Sequence, residues 1–189
     1  MLIPLRLSAQ TDEQLMQRAA HGSDRAFEEL YNRHARRLQG FFARRLGDDA
    51  DLAADFMHDT FLRLYAARDT YREGHNFRSW LYTIAYNLWK NHQRKPIPDL
   101  SPEEGRLDSL ADEFDIEVEM DETLLRNALR EVLRHLAEPY AMLFSLHYEE
   151  ELTVPQIAQI TQLPEGTVKS RLHKAMNIIK KEMKQYETH

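Results

Sequence analysis

Apolar side chains recur every three or four positions through both ends of the chain, which is the pattern of amphipathic α-helices. The first helical stretch opens at Thr11-Asp12-Glu13-Gln14, a capping-box sequence, and Ser23 suits the N-cap of a second helix. The apolar positions that predict the core face of this second helix are Phe27, Leu30, Tyr31, Leu38, Phe41 and Phe42.

Two more helices are predicted before residue 96. Acidic residues at 48, 49 and 51 favour the start of a third helix after Gly47, because the N-terminal end of a helix carries positive partial charge. This helix should reach about Ala67, and a polar loop from 70 to 76 should lead to the fourth. The predicted core face of the fourth helix consists of Phe77, Leu81, Ile84, Ala85 and Leu88.

The middle of the chain interrupts the helical pattern with prolines and acids. Pro96, Pro98 and Pro102 disfavour helix, and low hydrophobicity with high charge argues against packing near 97–112. Residues 113–121 then alternate acidic and apolar side chains, which is the period of a strand, although no partner strand is apparent. This segment is either a tolerated linker or a docking segment that orders on a partner.

After the bridge the helical pattern returns. A stripe formed by Leu125, Leu129, Val132, Leu133 and Leu136 predicts one helix, and Pro139 starts the next. Residues 153–156 have capping-box spacing, residues 163–166 break the helix that follows, and a longer helix comes after them. Its buried stripe is predicted to be Val168, Leu172, Ala175, Met176, Ile179 and Met183. A helix, a tight turn and a second helix form the DNA-reading helix-turn-helix unit.

The opposite face of this last helix carries cations and small hydroxyl groups. No acid occurs from 167 to 181, and such side chains suit phosphates and base edges. The alternative is a solvated helix on a bundle. The candidate DNA-binding residues are Thr167, Lys169, Ser170, Arg171, His173 and Lys174.

Charge and composition narrow the class of protein. The net charge of −6 is confined to residues 99–125, which carry −10, whereas 1–98 carry +3 and 126–189 carry +1. Such asymmetry suggests nucleic acid at the two ends. Without cysteine, a phosphate-binding glycine loop, an export signal or a long apolar run, we expect a cytoplasmic, non-enzymatic protein with no membrane insertion and no cofactor. His58-Asp59 resembles half of a metal site, but no supporting ligands share its spacing, so no metal is expected.

The predicted fold is therefore all-α, with two small helical domains joined by an acidic flexible linker, the second domain containing the helix-turn-helix. The predicted boundaries are 1–96, 97–122 and 123–189.

Two surfaces of the first domain are candidates for binding. The third helix has a second face that mixes apolar and acidic side chains, which suits a partner helix, unless that helix is buried on two sides. On the fourth helix Tyr82, Tyr86 and Trp89 share a sector bordered by Lys90 and Arg94. Such rings could stack on unpaired bases, or they could simply widen the core.

The motifs resemble those of a known family. The runs Leu-Thr-Val-Pro-Gln-Ile-Ala at 152–158 and Leu-Pro-Glu-Gly-Thr-Val-Lys-Ser-Arg-Leu-His-Lys-Ala at 163–175 resemble region 4 of extracytoplasmic-function sigma factors. Residues 55–65 resemble region 2.2, and 76–87 resemble regions 2.3 and 2.4. His58, in place of a common glutamine, and Val154-Pro155, in place of an acidic and aromatic pair, depart from the pattern.

The resemblance implies a bacterial sigma factor that binds core RNA polymerase, through its β and β′ subunits, and promoter DNA, under control of an anti-sigma factor. It implies contacts with polymerase at Leu52, Asp55, Phe56, His58, Asp59 and Leu62. It implies contacts with the −10 element, including base capture by the loop 71–76, at Arg72, His75, Asn76, Arg78, Tyr82, Tyr86, Lys90 and Arg94. The resemblance also implies contacts with the −35 element at the candidate DNA-binding residues of the last helix.

Thr83 and Ile84 stand where housekeeping sigma factors carry paired tryptophans, which implies weak melting and stringent promoter choice. The alternative function is a helix-turn-helix regulator whose first domain senses a ligand or dimerises.

Overall fold

The structure is a computed structural model that describes residues 7–93 and 122–186. These residues form two compact units, unit 1 over 7–93 and unit 2 over 122–186. The described parts of the chain contain helices and turns and no strand, which confirms the all-α prediction. The alternating segment 113–121 and the rest of the predicted linker before residue 122 lie outside the described residues. No helix in the described ranges is long and apolar enough to cross a bilayer.

Unit 1 consists of four helices, α1 (Asp12–Ala20), α2 (Asp24–Ala43), α3 (Ala50–Ala66) and α4 (Phe77–His92). Two short 3₁₀ turns, Leu7–Ala9 and Arg68–Thr70, precede α1 and follow α3. Each α-helix begins at a polar side chain that accepts a hydrogen bond from the first turn, which satisfies backbone donors that the helix itself cannot pair. These N-caps are Thr11, Ser23, Asp49 and Asn76.

The core of unit 1 is built around α2, which packs against α1 and α3, while α4 packs against α3 and α1. Phe41 and Phe42 of α2 are fully buried, and the Phe41 ring meets the Tyr82 ring edge-on at 5.3 Å between centroids. Burying side chains of this size contributes about 1.5–3 kcal/mol each relative to leaving them exposed. The aromatic stripe of α2 thus determines where α3 and α4 lie.

The core face of α4 is wider than the sequence predicts. Tyr82, Tyr86 and Trp89 are 2%, 5% and 1% exposed, whereas Ile84 is half-buried. The physical reason is that α4 lies against both α1 and α3, so one stripe along the helix cannot cover both contacts. Tyr82 makes a further contact, with the Phe41 ring of α2.

Unit 2 consists of α5 (Glu122–His135), α6 (Glu138–Phe144), α7 (Val154–Thr161) and α8 (Glu165–Tyr186). A turn of π-helix, Ser145–Glu149, extends α6. As predicted, Pro139 lies in the first turn of α6, and Thr153 and Gln156 form a capping box on α7. Helix α8 packs against the other three helices, and every residue of its predicted stripe is buried.

The turn between α7 and α8 depends on a left-handed residue. Gln162 has φ of 61° and ψ of 27°, and its side-chain amide donates to the Gln159 carbonyl at 2.7 Å. Leu163 and Pro164 follow, and α8 begins at Glu165. The reversal is therefore complete within three residues, which is the compact geometry of a helix-turn-helix.

Candidate partner and nucleic-acid interfaces

The second face of α3 is open, as the alternation of apolar and acidic residues suggests. Asp55, Asp59 and Leu62 are exposed, and Leu62, at 65% exposure, is the most exposed large apolar side chain in the described residues. Leu52 is half-buried at the edge of this face. We call this surface the acid-rimmed face. It offers apolar area surrounded by negative charge, which suits a partner with an apolar ridge and cations beside it.

Phe56 and His58 both lie on α3 but in different environments. Phe56 is half-buried because its ring lies between the rings of Phe42 and His92, at centroid distances of 5.2 and 5.1 Å. His58 is exposed, and its Nδ1 lies 3.3 Å from the Tyr31 hydroxyl of α2. Sequence reasoning missed Tyr31 as a neighbour, since 27 residues separate the pair and only packing brings them together.

The loop 71–76, which we call the reading loop, presents polar side chains between two anchored ends. Arg72, His75 and Asn76 are exposed, and Arg78, in the first turn of α4, is half-buried. At the entry, the Tyr71 ring lies 5.3 Å from the Trp80 ring. The loop is thus a short, partly cationic projection next to the start of α4.

The Tyr71 hydroxyl donates to the His75 carbonyl and so closes the loop on itself. Burial raises the pKa of this hydroxyl to about 12, with further increases from the negative charges of Glu13 and Asp12. Tyr71 therefore keeps its proton, and its hydrogen bond, throughout the neutral range.

The exit of the loop depends on Asn76, whose side chain caps α4. Its Oδ1 accepts hydrogen bonds from the Ser79 backbone N–H at 2.9 Å and from the Ser79 hydroxyl at 3.1 Å. Glu13 of α1 also reaches this point. Its carboxylate accepts from the Phe77 backbone N–H at 3.2 Å and lies 3.4 Å from the Asn76 side-chain nitrogen. Sequence reasoning did not find Glu13, because nothing in its local pattern signals a contact more than 60 residues away.

The aromatic sector predicted on α4 is corrected by the structure. Tyr82 and Tyr86 are buried in the core of unit 1, so their rings offer no free face on which a base could stack. Trp89 is buried in the same core. The alternative interpretation, that these three rings widen the core face of α4, is therefore correct. Lys90 is exposed, whereas Arg94 lies outside the described residues.

The cationic face of α8 follows the predicted arrangement. His173 and Lys174 are exposed, and the Lys174 ammonium lies 5.9 Å from the centre of the Tyr140 ring. Four further candidates are half-buried near the start of the helix, namely Thr167, Lys169, Ser170 and Arg171. The Ser170 hydroxyl donates to the Thr167 carbonyl at 3.1 Å, which leaves its oxygen free to accept. All six lie within the first three turns of α8.

Within 7–93 and 122–186, no three or more His, Cys, Asp or Glu side chains are grouped to hold a metal ion.

Comparison with known proteins gives each unit a family. The model of "Sigma-70 region 2" matches residues 30–96, and that of "Sigma-70, region 4" matches residues 126–178. The RNA polymerase sigma-H factor of Pseudomonas aeruginosa is 30% identical over 184 residues, which cover 93% of this chain and 95% of that protein. The ECF RNA polymerase sigma factor SigW of Bacillus subtilis is 28% identical over 172 residues, covering 86% of this chain and 91% of the relative.

Solved structures share the fold. CnrH, solved in complex with the cytosolic domain of CnrY, has a TM-score of 0.66 at 22% identity and covers 92% of this chain and 97% of its own. The sigma factor RpoE from Bartonella quintana, solved with the anti-sigma factor NepR, has a TM-score of 0.61 at 23% identity. The match covers 84% of this chain and 96% of the RpoE chain. With helical units, family models and relatives in agreement, this chain belongs to the sigma-70 family of RNA polymerase sigma factors, in its extracytoplasmic-function class.

Proposed function

We propose that the chain binds core RNA polymerase and directs it to promoters, with unit 1 serving the polymerase and the −10 element and unit 2 serving the −35 element. The observation that carries this proposal is that one chain combines the acid-rimmed face of α3 with the cationic face of α8. A DNA reader alone needs only the second. The protein would catalyse no reaction itself and would act in the cytoplasm, where the polymerase is.

The acid-rimmed face supports polymerase binding on physical grounds. Leu62 supplies exposed apolar area, and Asp55 and Asp59 supply charge that can be paired when the surface is covered. Burial of the leucine would favour association, while complementary charges would orient it and speed the encounter. We assign the β and β′ subunits of the core enzyme as the partner.

A helix-turn-helix regulator with a sensing or dimerising first domain is not favoured. That alternative gives no account of the match between residues 30–96 and sigma-70 region 2. We also propose that an anti-sigma factor controls this chain. A chain of the same fold, RpoE from Bartonella quintana, was solved with the anti-sigma factor NepR.

The test uses the full chain with purified core polymerase. Reversing two charges in the D55K/D59K variant should lower core affinity about tenfold or more, since repulsion replaces attraction around the apolar centre of the contact. Binding of the free protein to −35 DNA and its circular dichroism should not change, because exposed substitutions usually alter stability by less than about 0.5 kcal/mol.

The matched control is E28K/D69K, which changes the net charge equally at exposed positions of unit 1 outside α3. It should bind core polymerase as the wild type does. Equal affinity of D55K/D59K and wild type would contradict the assignment of this face. Run-off transcription from a genomic library should then identify the promoters.

A further inference from the structure

The N-terminus of α4 is occupied by a carboxylate from another helix. The first N–H groups of a helix have no partner within it, and the end carries positive partial charge. Glu13, on α1, accepts the hydrogen bond of the Phe77 N–H at 3.2 Å and thus fills this position from within unit 1. An anion from outside would have to displace Glu13 to bind here.

Both ends of the Asn76 side-chain amide are engaged. The oxygen accepts from the backbone and the hydroxyl of Ser79, which directs the nitrogen to Glu13 at 3.4 Å. An amide held at both ends is fixed in one rotamer and one flip state. The last residue of the reading loop is therefore held by α1 as well as by α4.

Helix α1 is itself fastened to α2. The Asp12 carboxylate, next to Glu13 in the chain, pairs with Arg33 at 3.0 Å and with His34 at 2.7 Å. Arg33 also donates to the Gln10 and Leu7 carbonyls at 2.8 and 3.1 Å. The backbone at Glu13 is therefore held in place by the contacts of Asp12 with α2. Through Glu13, these contacts also fix the exit of the reading loop.

The entry of the loop has a separate anchor. Tyr71 packs on Trp80 and donates to the His75 carbonyl, so the loop is tied at its start to the side of α4 and at its end to α1. Between these anchors Gly74 has φ of +83°, a left-handed conformation that glycine adopts without the steric cost of a side chain. If the Glu13 contact is lost, the exit of the loop is held by the Asn76–Ser79 cap alone and loses its connection to α1.

We propose that Glu13 is a positioning residue for promoter reading, acting through Asn76 and the start of α4 to hold the reading loop in the shape that receives DNA. The proposal rests on the assignment of this loop to the −10 element. Glu13 itself would not contact DNA, because a carboxylate repels phosphate. Glu13 would instead order the loop before DNA binds, so that less binding energy is spent on ordering the loop. This matters because removing a base from the stack already costs energy.

The experiment compares holoenzymes carrying full-length wild type, E13A, E13Q or the control E28A, which removes an exposed glutamate from α2. The probes are a promoter fragment on which the wild-type holoenzyme forms an open complex and the same fragment with single base changes in the −10 element. Permanganate reactivity measures opening, and the ratio between fragments measures selectivity.

We expect E13A to reduce opening and −10 selectivity about three- to tenfold, the effect of one net hydrogen bond. E13Q should retain most of both, because its amide oxygen still accepts from the same two donors. E28A should match the wild type. Core affinity should be unchanged in all three variants. The urea unfolding midpoint of E13A should fall slightly, because the folded protein loses the same hydrogen bond. A merely structural role would lower opening equally on all fragments and leave −10 selectivity unchanged.

An H75A holoenzyme separates failure of this proposal from failure of the function assigned to the loop. If H75A lowers opening and E13A does not, Glu13 does not position the loop. If neither has an effect, the loop does not read the −10 element and the proposal fails with it. Increased opening in E13A, a loss of opening without a change in −10 selectivity, or a loss that parallels lower core affinity would also overturn it.

Discussion

Leu62 is a residue that we expect to contribute to polymerase binding and not to the stability of the fold. Its side chain is 65% exposed, so it contributes little to the core of unit 1. We expect L62S to leave the free energy of unfolding within about 0.5 kcal/mol of wild type. Core-polymerase affinity should fall at least about fivefold, as for a central apolar contact. L62M keeps the apolar surface and should bind normally, so equal binding by all three proteins would remove Leu62 from the interface.

The lowered pKa of Asp12 indicates how the stability of unit 1 depends on pH. Burial alone would raise the pKa of its carboxyl, but the hydrogen bonds and charges of His34 and Arg33 outweigh that effect and hold the pKa below its ordinary value. The stabilisation is therefore fully present above pH of about 4 and is lost as pH falls through the lowered pKa. D12N should cost about 1–2 kcal/mol at pH 7 and progressively less below pH 4.

Tryptophan fluorescence measures this effect in the intact chain, because both tryptophans, Trp80 and Trp89, lie in unit 1. Urea unfolding at pH 7 and at pH 3 gives the two free energies. D69N, at an exposed carboxylate, is the control and should differ little from wild type at either pH. A cost of D12N that is the same at both pH values would rule out the proposed linkage.

Helix α8 combines a buried stripe with a cationic face, which we propose meets DNA. Lys174 is on that face, whereas Lys180, six positions later, points about 120° away. K174A should weaken −35 binding and reduce the slope of log affinity against log salt by about one, as expected for one lost phosphate contact. K180A should leave the slope unchanged. Equal slopes for the two variants would contradict the orientation assigned to α8.

Helix α4 shows where periodicity misleads. Its sequence carries apolar or aromatic side chains around most of its circumference, and the pattern alone does not say which rings face protein and which face solvent. Packing of α4 within unit 1, where Tyr82 meets Phe41 of α2, decides that Tyr82, Tyr86 and Trp89 are core. The sequence-based site on α4 therefore reduces, within the described residues, to its N-terminal end and Lys90.

For the whole molecule, charge is separated along the chain. Residues 99–125 carry a net charge of −10, which should repel DNA from the free protein and attract basic channels of the polymerase. Changing the acids of 112–122 to Asn and Gln should raise nonspecific DNA binding and weaken core binding. Both effects should shrink as ionic strength rises past about 0.15 M, where the Debye length is about 8 Å. A neutral bridge that behaves as the native one does would make it a passive tether.

The helices, the caps at Thr11, Ser23 and Thr153 and the helix-turn-helix could all be predicted from the sequence. Capping boxes at Thr11 and Thr153 and the buried stripe of α8 depend on residues three to four positions apart, and such local contacts can be read from spacing. The acid-rimmed face of α3 was predicted for the same reason. The motifs at 55–65, 76–87 and 163–175 indicated the family, which the comparisons confirmed.

Which surfaces of those helices remain open, and which contacts hold the loops between them, depends on the packing of each unit. The contact of Glu13 with Asn76, the proximity of Tyr31 and His58 and the burial of Tyr82 each join residues that are distant in sequence. Helical periodicity shows which residues share a face, but the number of neighbours that cover a helix depends on packing the whole unit. The reading loop is closed by the local Tyr71–His75 hydrogen bond, but its exit is held by the distant Glu13, which no periodic pattern in the sequence could indicate.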